Sequence, residues 1–281
     1  MQSEFFDFSK FYGIYENASM WLRLIARSEI RIKILVSLSK GSKNLGELRE
    51  LLNLSSSTIL HAMRNMEVEG FIENSVEGYT LTNIGKIQAI LINNLIKAIA
   101  VLEKDKDFWL THDLSAIPDH LLRRIGELDD LVAVKGNAWD VLKPHYNLIQ
   151  LLMKAGEVKS VSPVFHSDYP EIIETLVNNK ADVELILTDK VMAKILESSR
   201  DILERMISEP NFRLWVIDED VKVAITVTDS ALSLGLFRDD ETYDISTDLI
   251  SHTDDALNWG RDLFEYYRLR SKKISGPNAP P

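Results

Sequence analysis

The sequence predicts an α+β protein in two parts: a mainly helical N-terminal unit, then a C-terminal α/β sandwich built on a mixed sheet. Three observations predict it. Residues 28–82 read as helix, helix, helix and hairpin, each bounded by its own cap or turn residues. Residues 108–270 alternate helical and strand patterns in the order αβαβαβββα. The charge also divides unevenly. Within a net charge of −11, residues 1–99 carry 11 Lys and Arg against 10 Asp and Glu, and the rest of the chain carries 21 against 33.

An aromatic-rich arm opens the chain and runs into a helical stretch around Met20–Ile25. Ser28 caps a helix whose Ile30, Ile34, Leu35 and Leu38 share one face, and Gly41 ends it. Asn44 caps the next, with Leu45, Leu48, Leu51 and Leu52 inward; Leu54 and Ser55 form the turn. Ser55 or Ser56 starts a third helix, where Ile59, Met63 and Met66 recur at helical spacing until Gly70. Phe71-Ile72 and Tyr79-Thr80-Leu81 flank Ser75-Val76-Glu77-Gly78, a short hairpin. Together these make a winged helix-turn-helix.

Thr82 or Asn83 caps one long helix ending at Lys104. Its Ile87, Ile90, Leu91, Leu95, Ile96, Ile99, Val101 and Leu102 surround most of the cylinder. A helix apolar on so many sides needs two burial partners. One is the winged helix; the other is a second copy of the chain, in a twofold dimer, or the chain's own C-terminal domain. Beyond residue 108, helices are expected over Asp140–Ala155, Pro170–Lys180, Lys190–Ile207 and Asp254–Leu269. Strands are expected over Val158–Val164, Val183–Leu187, Phe212–Ile217, Val221–Val227 and Ala231–Phe237. The implied domains are 1–82, a linker or dimerisation helix at 83–107, an effector domain at 108–270 and a disordered tail at 271–281.

Composition excludes several classes. There is no cysteine, so no disulfide, thiolate metal site, iron–sulfur cluster or cysteine nucleophile. The first residues lack a signal-peptide layout, which predicts a cytoplasmic protein. The apolar run Ile87–Leu102 is interrupted by Asn93, Asn94 and Lys97 and reads as too short and too polar for a bilayer span. No GxSxG, P-loop, GxGxxG or HExxH motif occurs, so no enzyme, cofactor or metal site is expected. Asp129-Asp130, Asp239-Asp240 and Asp254-Asp255 read as loop or helix-start pairs, the last at a helix N-terminus. His112-Asp113 reads as a structural contact.

The segment from Leu54 through Ser55-Ser56-Ser57-Thr58 to Glu69-Gly70-Phe71-Ile72 resembles the recognition helix and wing entry of winged-helix repressors. The resemblance implies double-stranded DNA as a partner. Hydroxyl residues at a helix N-terminus let it approach phosphates, and the face opposite Ile59, Met63 and Met66 is free for base edges. The expected DNA-contacting residues are Lys43, Ser56, Ser57, Thr58, His61 and Arg64, with Leu60 on the same face. The wing tip departs from the pattern, carrying Glu73 and Glu77 and no base. Phosphate contacts therefore fall to Lys40, Lys43, Arg49, Arg64 and Lys86.

Further along, the chain carries Phe108-Trp109, His112-Asp113-Leu114, Ile117-Pro118 and Arg124-Ile125-Gly126-Glu127-Leu128. It continues with Ser162-Pro163-Val164-Phe165-His166, Tyr169-Pro170 and Val183–Thr188. Leu232–Phe237, Tyr243-Asp244, Asp248–Ser251, Trp259-Gly260 and Leu263–Tyr267 complete the series. This series resembles the winged-helix methanogenesis-regulator family of methanogenic archaea, over about residues 20–270. The resemblance implies a DNA-binding transcription regulator of archaeal metabolic genes with a regulatory middle domain. The strand order also resembles half of a phospholipase D-type domain. That chemistry needs His-x-Lys, and none of the six histidines has Lys two residues on, so the half would be non-catalytic.

Ligands in α/β sheets favour the carboxyl ends of parallel strands. A small-molecule effector is therefore expected at His166 and Tyr169 after one strand and Thr188 and Asp189 after the next, with Thr226, Thr228 and Ser233 on the adjoining hairpin. The alternative is an acidic domain that binds a signalling protein. A pocket with convergent polar groups would favour the first, an exposed apolar patch the second.

Overall fold

The computed structural model describes residues 7–26 and 28–274. The chain forms two compact units that divide between Ile96 and Lys97, inside the long helix.

The N-terminal unit contains α1 (Phe8–Ala26), α2 (Glu29–Leu38), α3 (Leu45–Leu52) and α4 (Ser56–Val68). The hairpin β1 (Ile72–Ser75) and β2 (Gly78–Leu81) follows, then the start of α5 (Asn83–Lys104). From Phe8 onward, the expected arm is helix α1. Each cap read from the sequence is made. Ser28 Oγ accepts from the N–H of Arg31, Asn44 and Glu47 close a reciprocal capping box, and Ser55 Oγ accepts from the N–H of Thr58. Asn53 turns between α3 and α4 in the left-handed region. Thr82 Oγ1 accepts from the N–H of Gly85 at the start of α5. Lys43 exchanges two backbone hydrogen bonds of 3.0 Å with Tyr79, which adds a bridge beside the hairpin. A Cβ on Gly78 would lie 2.7 Å from the Lys43 carbonyl, at φ +113°, so this turn requires glycine. The core gathers Ile34, Leu35, Leu38, Leu48, Ile59, Met63, Met66, Phe71, Ile72, Leu81, Ala89 and Ile92.

The C-terminal unit begins with the end of α5, then α6 (Lys106–Thr111), α7 (Asp119–Leu122) and a short 3-10 turn at Ile125–Leu128. There follow β3 (Val132–Lys135), α8 (Lys143–Leu152), β4 (Glu157–Ser162), α9 (Tyr169–Asn178), β5 (Asp182–Thr188), α10 (Asp189–Ser198) and α11 (Arg200–Ile207). The rest is β6 (Phe212–Ile217), β7 (Val223–Thr228), β8 (Leu232–Leu236), β9 (Thr247–Ser251), α12 (Asp254–Arg268) and β10 (Lys272–Ile274). One eight-stranded sheet runs in the order β10-β6-β5-β4-β7-β8-β9-β3. β4, β5 and β6 are parallel and the other pairings antiparallel, so the mixed sheet is as expected.

Three expectations are corrected. The single helix over Lys190–Ile207 is two, broken at Ser199 with φ −147°. Strands β3 and β9 were not expected; they pair with each other at the sheet edge. The tail is not wholly disordered, since Lys272–Ile274 pair with β6; residues 275–281 lie outside the described residues. At 22 residues and a mean hydropathy of 1.4, α5 is also long and apolar enough to cross a bilayer, by length and composition. Its Ala89 and Ile92 are buried in one protein core and Val101 in another, and Lys97 pairs with Asp129 at 3.0 Å.

The two faces of the sheet differ. One packs Val161, Ile186, Trp215, Ile225, Leu234 and Leu249 against Trp259, Leu263 and Phe264 of α12. Asp254 and Asp255 stand in the first turn of that helix. The other face packs Val158, Leu185, Leu187 and Leu214 under helices α8 to α11. On that same face, β7 to β9 carry Thr226, Ser233, Gly235 and Asp248, and the polar positions cluster there.

Candidate nucleic-acid interface and ligand cavity

On α4, the buried stripe of Ile59, Met63 and Met66 turns Ser57, His61 and Arg64 to solvent, at steps of four and three residues. Ser56, Thr58 and Leu60 are half-buried. The hydroxyls of Ser57 and Thr58 lie 2.9 and 2.7 Å from Ser55 Oγ, so the helix start is tied into a local hydroxyl cluster. Lys43 is half-buried beside the wing, while Lys40, Arg49 and Lys86 are exposed. Two bases escaped the sequence reading. Arg23 of α1 and Arg31 of α2 border an open groove of about 950 Å³ with Ser57, Thr58, His61 and Asn65. Neither makes an ion pair among the described residues. Their approach to α4 is tertiary, and no local spacing signals it.

The C-terminal unit holds a cavity of about 150 Å³ between the sheet and helices α8 to α11, reaching Ser162 and Leu187 at the carboxyl ends of β4 and β5 and running along the sheet face to Val158 and Phe212. It gathers His166, Tyr169, Thr226 and Ser233 from the expected set. It does not gather Thr188, Asp189 or Thr228. Thr188 Oγ1 accepts from the N–H of Val191 and caps α10. Asp189 is exposed in the first turn of that helix. Thr228 Oγ1 accepts from the N–H groups of Ser230 and Ala231 and closes the β7–β8 turn. Each is held by local backbone, a competing use of Thr and Asp at element ends. Sequence reasoning missed His145, Tyr243 and Asp248, which also line the cavity. Tyr243 and Asp248 stood in motifs, but their convergence depends on β9, which was not foreseen.

One wall is aromatic. The His145 and His166 rings stack at 3.8 Å, and Tyr169 lies 5.4 Å from His145 and 5.3 Å from His166. His145 Nδ1 is 3.3 Å from Tyr169 Oη, and its Nε2 is buried without a partner. Burial, with His166 adding, lowers the His145 pKa. In the same lining, Ser233 Oγ donates to Asp248 at 2.5 Å. Burial pushes the Asp248 carboxyl up to about 7, against that hydroxyl and the backbone N–H groups of Leu249 and Leu234. Burial likewise pushes the Tyr169 phenol up to about 12, and raises Tyr243. A Cβ on Gly235 would lie 2.2 Å from Tyr243 Oη, so the absent side chain makes room for that phenol. Leu148, Ile173, Leu185, Leu187, Val191 and Met206 make the apolar wall. No Lys or Arg lines the cavity among the described residues.

His145, His166 and Asp168 bring ligand-type atoms within 4.8 Å of one another. The two imidazoles stack at 29°, however, so their in-plane lone pairs do not converge at the 2.0–2.1 Å that a metal requires. The group is a ring stack rather than a preformed metal site. His112-Asp113 has the structural role expected. His112 stacks on Phe108 and lies 3.2 Å from Asp244, and Asp113 pairs with Lys222.

A winged helix-turn-helix joined by a long helix to an α/β domain with an internal cavity defines a two-domain architecture. The chain belongs to the methanogenesis regulatory protein family: the FilR1 N-terminal domain matches residues 20–100 and the FilR1 middle domain residues 141–270. It is 34% identical over 258 residues to the methanogenesis regulatory protein FilR1 of Methanothrix harundinacea (strain 6Ac). That match takes in 90% of this chain and 58% of the relative's length. Among solved structures it is similar to TrmBL2, described as an archaeal chromatin protein with a novel mode of DNA binding. The identity is 15%, over 85% of this chain and 91% of that one, at a TM-score of 0.43. A phospholipase D family member, Nuc from Salmonella typhimurium, is 7% identical over 52% of this chain and 99% of its own, at a TM-score of 0.41.

Proposed function

We propose that the protein is a sequence-specific, DNA-binding transcription regulator of archaeal metabolic genes, acting as a homodimer and modulated by a small molecule in the C-terminal cavity. The observation that carries the DNA reading is the exposed line Ser57, His61, Arg64 on a capped helix of a winged-helix unit, flanked by Arg23 and Arg31. Such a helix enters the major groove with its N-terminal half, and bases beside it take phosphates. The relative's description as a regulatory protein agrees with this reading. DNA binding assigns the protein to the cytoplasm and requires no catalysis. Dimerisation is supported by Ile87, Leu91 and Leu95 of α5, each about 60% exposed. A unit with almost no net charge gains from doubling its phosphate contacts.

Genome-wide mapping of bound sites supplies the operator, and fluorescence anisotropy then tests the interface. Arg64→Ala weakens specific binding by about 1–3 kcal/mol. Unchanged operator affinity in a folded His61→Ala/Arg64→Ala protein removes α4 from the interface.

A second reading has its own observation. Trp139 is 96% exposed, with Val141, Leu142 and Tyr146 exposed nearby in sequence. Such a patch suits a signalling protein as the modulator in place of a metabolite.

A further inference from the structure

The cavity has a chemistry more specific than small-molecule binding. Its polar end holds the buried Asp248 carboxyl among hydroxyls that can donate or accept, and no Lys or Arg among the described residues. The Asp248 carboxyl is buried with a serine hydroxyl and backbone N–H groups as partners, and no cation faces it. Tyr243 Oη makes no hydrogen bond among the described residues, and Gly235 leaves the space it occupies. His145 Nε2 is buried and unpartnered in the same lining. A neutral imidazole, with Nδ1 bound to the Tyr169 hydroxyl, presents an acceptor or a lone N–H there and no fixed charge. The stacked rings of His145, His166 and Tyr169 supply π faces, and the remaining wall is aliphatic.

Phosphate, carboxylate and sugar-phosphate ligands call for Arg, Lys or a helix N-terminus at their charge. This lining offers neither Arg nor Lys among the described residues. The first turns of α8 and α9 reach it through Pro144, His145, Tyr169 and Pro170, each with a proline in place of one N–H donor, and the buried acid is Asp248. A buried acid beside aromatic faces is the surrounding that receives an organic cation. The volume matches a body about the size of benzene.

We propose that the cavity binds a small organic monocation: an ammonium group received by Asp248 and Tyr243, carried on a short aliphatic or aromatic body lying against Leu185, Leu187 and Ile173. The proposal rests on the reading of this cavity as a ligand site and adds the class of ligand.

Three probes of one shape test it on the full-length protein by calorimetry: 2-phenylethylammonium, 2-phenylethanol and phenylacetate. The expected order is the cation first, the alcohol weaker by about tenfold or more, and the carboxylate without measurable binding. Asp248→Asn brings the cation down to the alcohol's affinity. Should that variant fold poorly, Tyr169→Leu reports instead, lowering the cation's affinity more than the alcohol's. If the alcohol or carboxylate binds as tightly as the cation, the monocation proposal falls and the ligand site stands. If no probe binds, the proposal and the ligand-site reading fall together.

Discussion

A carboxyl buried as Asp248 is, with no cation opposite, is easier to keep protonated than charged. Folding therefore raises its pKa, from the ordinary aspartate value to about 7. The sign follows from proton linkage: between about pH 4 and pH 7 the folded state holds a proton that the unfolded chain has released. The stabilisation is complete below that window and is lost as pH rises through 7. A shift of this size corresponds to about 4 kcal/mol, an order-of-magnitude figure. Urea unfolding of the C-terminal unit, followed by Trp fluorescence, is expected to show lower stability at pH 8 than at pH 5. In Asp248→Asn most of that decline disappears. Carboxylates held low by their partners, such as Asp113 beside Ser115, act in a lower window, whereas His145, whose pKa burial lowers, acts within this one with the opposite sign; the comparison of wild type with Asp248→Asn isolates the carboxyl. Gly235 gives a steric counterpart. Gly235→Ala sets a methyl against the Tyr243 hydroxyl at 2.2 Å, and overpacking of that kind costs about 1–3 kcal/mol. It is expected to weaken ligand binding through displacement of the phenol, measured by calorimetry against wild type.

Helix α5 carries the clearest prediction among the elements. Ile84, Ile87, Leu91 and Leu95 follow one another at steps of three and four residues, and all are exposed. Ala89 and Ile92 lie on the side that enters the winged-helix core. Leu91→Glu or Leu95→Glu is expected to give monomers in sedimentation while leaving that core intact. A wild-type monomer at micromolar concentration would remove the dimer altogether. This helix was legible in the sequence because its caps and its apolar excess are local signals. So were α2 to α4, whose serine and asparagine caps and buried Ile59, Met63 and Met66 fix the exposed face of α4. The less legible elements are those whose reason is tertiary. β3 and β9 hold together by pairing with each other, although Asp248 interrupts the apolar pattern of β9. The break at Ser199 divides a run with continuous helical composition. Four of the seven expected cavity residues, His166, Tyr169, Thr226 and Ser233, line the cavity. Thr188, Asp189 and Thr228 share the right neighbourhood, but turn and cap hydrogen bonds claim their side chains.

For the whole molecule, α5 runs as one helix through the boundary between the winged-helix unit and the α/β unit. A regulator with two sites must couple them, and the coupling is a free energy that acts equally in both directions. A ligand that binds both functional states equally shifts nothing, however tightly it binds. The proposed cation therefore regulates only if its affinity changes when the operator is bound. The expected coupling is about 1–3 kcal/mol, or roughly 5–150-fold in affinity. Two measurements close the cycle. Operator affinity is read by anisotropy with and without saturating 2-phenylethylammonium, and cation affinity by calorimetry with and without operator DNA. Reciprocity requires the same factor from both. A factor of one in both, with the cation demonstrably bound, leaves the cavity a ligand site without control over DNA. The modulator is then sought at the exposed surface around Trp139, where substitution by Ser would abolish the response to a protein partner.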